Sequence, residues 1–174
     1  QGSLASIMYD EISRSAAAGD VARVERTLAD VKDKFGGTTF AAQGGLLAAK
    51  LLQEKEKPAE AKAALTWVAD KAPNDGLKAT ARLRLASPLA ADKAYDHAIK
   101  LLSGSFPASF VALAADRRGD VLLLQGKRAE AATEYGKAYQ GLTPEAGDYR
   151  KLVGMKLNAL GIDPDANVKP GATS

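Results

Sequence analysis

One pattern of six side chains, repeated along the chain, restricts the fold more than any other feature. Between residues 115 and 138, Gly119, Leu122, Gly126, Ala131, Tyr135 and Ala138 read small, large, turn, small, aromatic, small. Small residues at 119 and 131 let two consecutive helices, A and B, approach closely, and Tyr135 fills the space toward the next unit. A second copy runs through Ala49, Leu52, Ala61, Leu65, Val68 and Pro73, with the proline where a unit closes and a helix cannot continue. A third has Ala86, Leu89, Ala98 and Leu102, and a first has Ile12, Gly19, Val24, Leu28 and Val31. The anchors Val24, Ala61, Ala98 and Ala131 lie 37, 37 and 33 residues apart. A helix pair of about 34 residues cannot bury its apolar face alone, so such units must stack on one another.

The period and positions are those of the tetratricopeptide repeat. The fold expected is therefore all-α, a right-handed superhelical solenoid of about four helix pairs over residues 1–160, closed by a C-terminal capping helix. Helical periodicity places nine helices near residues 4–18, 20–35, 39–54, 58–71, 75–87, 91–103, 107–125, 127–140 and 146–160. Asp20 and Asn74 are expected N-caps, Pro58 suits a first helical turn, and Gly104 suits a left-handed residue past a helix end. Pro88 has no N–H to give, so the fifth helix is expected to kink or stop there, or Ser87-Pro88 to open a new helix. Residues 161–174 hold two prolines, two glycines and almost nothing apolar, and are expected to be a disordered tail.

Composition narrows the function classes. Apolar content is mostly Ala and Leu with few aromatics, which suits closely packed helices. Net charge is +3, from 24 basic and 21 acidic side chains interspersed along the chain, and no basic cluster is interleaved with aromatics, so no nucleic-acid partner is expected. There is no cysteine, which excludes disulfides and thiolate metal sites but leaves the compartment open. No window approaches the roughly 20 apolar residues that span a bilayer, and residues 1–6 do not read as a signal peptide. The sequence does not begin with methionine, so any membrane anchor would precede Gln1.

No catalytic, cofactor or metal constellation is expected. The sole histidine, His97, has Asp96 beside it but no second ligand three or four residues on, and reads as a surface side chain. Asp116 and Asp120 share a helix face, with Arg117 and Arg118 at hand to neutralise them, and read as a solvated charged face rather than an acid–base pair. The pairs Gly36-Gly37 and Gly44-Gly45 join no strand to a helix and carry no phosphate-loop lysine, so they read as a turn and a close helix contact. Trp67 is expected to be partly buried between repeats. In a stacked solenoid the A helices line the concave face, which places Gln43, Lys50, Gln53, Thr80, Asp116 and Asp120 there as candidate protein-binding residues. Exposed terminal repeats also make a homodimer an expectation to test.

The run Ala115-Asp116-Arg117-Arg118-Gly119-Asp120-Val121-Leu122-Leu123, followed by Gln125-Gly126-Lys127, resembles the YfgM family of tetratricopeptide-like accessory subunits of the bacterial Sec translocon. Leu77-Lys78-Ala79 with Leu83-Arg84-Leu85-Ala86, and Ala5-Ser6 with Tyr9, resemble it too. The resemblance spans residues 4–160, and 77–138 carry most of its specificity. It implies an N-terminal transmembrane helix ahead of a periplasmic domain at the inner membrane, with Sec translocon subunits and periplasmic chaperones as partners. The repeats alone imply a generic peptide-binding scaffold in envelope assembly or cytosolic regulation.

Overall fold

In a computed structural model, which describes residues 3–166, nine α-helices account for the regular structure: α1 (Leu4–Ala17), α2 (Val21–Phe35), α3 (Thr39–Glu54), α4 (Pro58–Lys71), α5 (Asp75–Ala91), α6 (Tyr95–Ser103), α7 (Val111–Leu124), α8 (Arg128–Gly141) and α9 (Asp148–Ala159). Short 3-10 turns at Ala108–Phe110 and Pro144–Ala146 lead into α7 and α9. No strand occurs among the described residues. Contacts divide the chain into two compact units, residues 1–88 and 89–174.

Local chemistry sets most helix ends. Asp20 Oδ1 accepts the Arg23 N–H at the start of α2, Asn74 Oδ1 accepts the Leu77 N–H at the start of α5, and α4 begins at Pro58. Gly104 is not left-handed as expected: α6 ends there in an extended conformation, φ −73° and ψ −177°. Pro88 neither stops α5 nor opens a new helix, since α5 continues through it to Ala91. The missing N–H deprives only the Arg84 carbonyl of its partner, and the helix ends where the repeat's own turn ends it.

That turn is the element the units have in common. A left-handed residue follows helix A at Gly19, Glu56, Lys93 and Gly126, with φ between +58° and +78°. The N–H of the next residue reaches back to a carbonyl in the last helical turn: Asp20 to Ser15, Lys57 to Leu52, Ala94 to Leu89 and Lys127 to Leu122, at 2.8–2.9 Å. This pairing satisfies carbonyls that the helix end would otherwise strand. The same turn occurs once more. Gly161 has φ +79°, and the Ile162 N–H bonds to the Leu157 carbonyl at 3.0 Å.

Helix α9 covers the end of the fourth pair, as a cap should, and is in addition the A helix of a fifth unit. Gly154 stands where Ala49, Ala86 and Gly119 stand in the other units, and Leu157 where Leu52, Leu89 and Leu122 stand. Where helix B of this unit would begin, the described residues form a turn at 163–166, closed by a hydrogen bond from the Ala166 N–H to the Asp163 carbonyl. Tyr139 donates its hydroxyl to Asp165, and Pro164 lies beside Gly154, so residues 161–166 fold onto α8 and α9 rather than forming part of a free tail. The remainder of the expected tail, 167–174, lies outside the described residues.

The repeat positions form the core. In the first unit Ile12, Val24, Leu28, Val31, Ala49, Leu52, Ala61, Leu65 and Val68 are buried, and α3 packs against α1, α2 and α4. The Gly44-Gly45 pair makes this possible: a Cβ at Gly44 would stand 2.9 Å from Ile12 Cδ1 and one at Gly45 2.6 Å from Val68 Cγ2. Trp67 is half-buried beside Gly45, with Lys32 Nζ 5.2 Å from its ring centroid. In the second unit α7 packs on α6 and α8, and α8 on α9. Tyr135 is buried with Ala115, Ala131, Ala138, Val153 and Leu157, its ring lying where a Gly119 side chain would be.

Candidate protein-binding surface

The solvent-facing stripe of each A helix can be read from its turn. On α3 it comprises Gln43, Leu47, Lys50 and Glu54, and on α1 the equivalent residues are Ser6, Asp10, Ser13 and Ala17. Between these helices lies an open groove of about 270 Å³ lined by Ser13, Ala16, Ala17, Leu47, Lys50, Leu51 and Glu54. Gln43, Lys50 and Gln53 are exposed, whereas Thr80 on α5 is half-buried and donates its hydroxyl to the Gly76 carbonyl at 2.9 Å. At the far end of the α1–α3 pair the Tyr9 and Phe40 rings stand 6.3 Å apart, centroid to centroid. Ser13, Lys50 and Glu54 beside Ala16, Ala17, Leu47 and Leu51 make this groove mixed in character.

In the second unit Asp116 and Asp120 have separate roles. Asp116 is fully buried and accepts hydrogen bonds from Tyr149 Oη at 2.6 Å, Lys156 Nζ at 2.9 Å and Arg117 Nη1 at 3.1 Å. Its charge is thereby paired and its oxygens satisfied, the condition for burying a carboxylate without a large penalty. Asp120, whose side chain is 39% exposed, accepts from Tyr135 Oη at 2.6 Å and Lys156 Nζ at 3.0 Å. Lys156 thus ties α9 to both carboxylates of α7. Burial first, and then the Asp120 carboxylate, hold the Tyr135 phenol well above the usual range; burial and then Asp116 do the same for Tyr149. Both phenols therefore serve as donors. Arg118 takes no part in neutralising the pair. It points to the other side of α7, where it bonds to Glu134 and to the Leu102 carbonyl, each at 2.6 Å.

Sequence spacing had brought Asp116 and Asp120 together but not Lys156 or Tyr149, which arrive from 33 to 40 residues away. The Gly161 turn is the signal that could have found them, because it marks α9 as an A helix facing α7. The same turn brings in Leu152, Met155 and Ala159, the groove stripe of α9. His97 is exposed on α6, and among the described residues no three His, Asp or Glu side chains gather as a metal site. No helix among the described residues is long and apolar enough to cross a membrane.

Stacked helix pairs with solvent-facing A-helix grooves define a protein-interaction scaffold of helical-repeat type. The chain belongs to the family described as tetratricopeptide repeat-like domain, which matches residues 1–162. It is also 27% identical, over 156 residues, to a protein of Neisseria gonorrhoeae named ancillary SecYEG translocon subunit, a match covering 90% of this chain and 74% of that protein. The resemblance to the YfgM family stands on both matches, and both point to a non-catalytic scaffold.

Proposed function

We propose that the chain is an accessory scaffold of the Sec translocon, acting on the periplasmic side of the bacterial inner membrane and linking the channel to periplasmic chaperones. The observation that carries this reading is the similarity to the Neisseria translocon subunit along nearly the whole chain. The A-helix stripes support it physically, since exposed Gln43, Lys50 and Gln53 offer hydrogen-bonding groups that packing has not consumed, and half-exposed Asp120, bonded to Tyr135 and Lys156, adds a carboxylate at the surface. Asp116, enclosed by Tyr149 and Lys156, contributes by fixing that surface. Membrane attachment, in this reading, comes from a segment preceding Gln1.

Photo-crosslinking from Lys50 and from Asp120, in the native full-length protein in cells, tests the proposal. Adducts with Sec channel subunits or a periplasmic chaperone are expected. Adducts only with unrelated soluble proteins would leave the generic peptide-binding scaffold in its place, and no adducts from either position would exclude these stripes as the working surface.

A further inference from the structure

We draw no further inference here: the strongest candidate, the open groove of about 420 Å³ between α8 and the turn at 161–166, lined by Ala132, Gly136 and Leu157, carries nothing because nothing in the structure shows what covers it.

Discussion

At Gly126 an added methyl group would meet nothing within 4 Å, yet φ is +78°, so Gly126→Ala should cost about 1 kcal/mol through the backbone alone. Gly119 presents the opposite case. It sits in ordinary helix, but its Cβ would stand 2.5 Å from the Tyr135 ring, and Gly119→Ala should cost about 1–3 kcal/mol by overpacking. Urea unfolding should rank the two in that order, and a neutral Gly119→Ala would contradict the close A–B contact. The titrating groups set the limits in pH. Tyr135 and Tyr149 are held above the phenol's ordinary value of about 10, so their contribution is complete below that pH. Above it the unfolded chain loses protons that the folded one retains, and stability should fall as pH rises. Glu134 limits the acid side: burial pushes it up, but hydrogen bonds from Lys137 and Arg118 outweigh burial and hold it low. Its contribution is present above about pH 4.3 and is lost as pH falls through its folded value. Melting temperatures across the pH range should therefore decline at both ends, and Tyr149→Phe should flatten the alkaline decline.

Among the elements, α9 depends on one side chain more than on any other. Lys156→Met would leave the buried Asp116 and the half-exposed Asp120 without their shared cation, with a loss of about 1–3 kcal/mol read by thermal unfolding. A variant as stable as the parent would mean that apolar packing at Val153 and Leu157 suffices to hold the helix. The helices themselves were legible because their signals are local: Asp20 and Asn74 cap, Pro58 opens α4, and the apolar period is unbroken between turns. Pro88 misled because a rule for isolated helices weighs one lost hydrogen bond heavily, while the turn at Lys93, with Leu89 buried, fixes where α5 ends. Asp116 was placed on an open face because helix spacing shows which residues share a side but not what arrives from 33 or 40 residues later. Those partners lie on a helix that reads as a cap until Gly161 is compared with Gly126.

At the scale of the molecule, the chain repeats one kind of helix pair along its sequence, and repeat arrays are held by each pair's own stability and by its neighbours. The fifth unit has α9 and no helix B among the described residues, so amide protons of α9 should exchange faster than those of α7 and α8. Equal protection would show that the second unit opens only as one body. The recurring turn bears on how such a chain changes length over generations. The left-handed residues at 19, 56, 93, 126 and 161 close the same hydrogen bond in five sequence contexts, two of them without glycine. Recombination that joins one of these residues to its counterpart in another unit would leave an intact turn on either side of the junction. Duplication or loss of a whole helix pair is then the smallest genetic step that preserves the local chemistry, and shorter insertions belong in the links after each B helix.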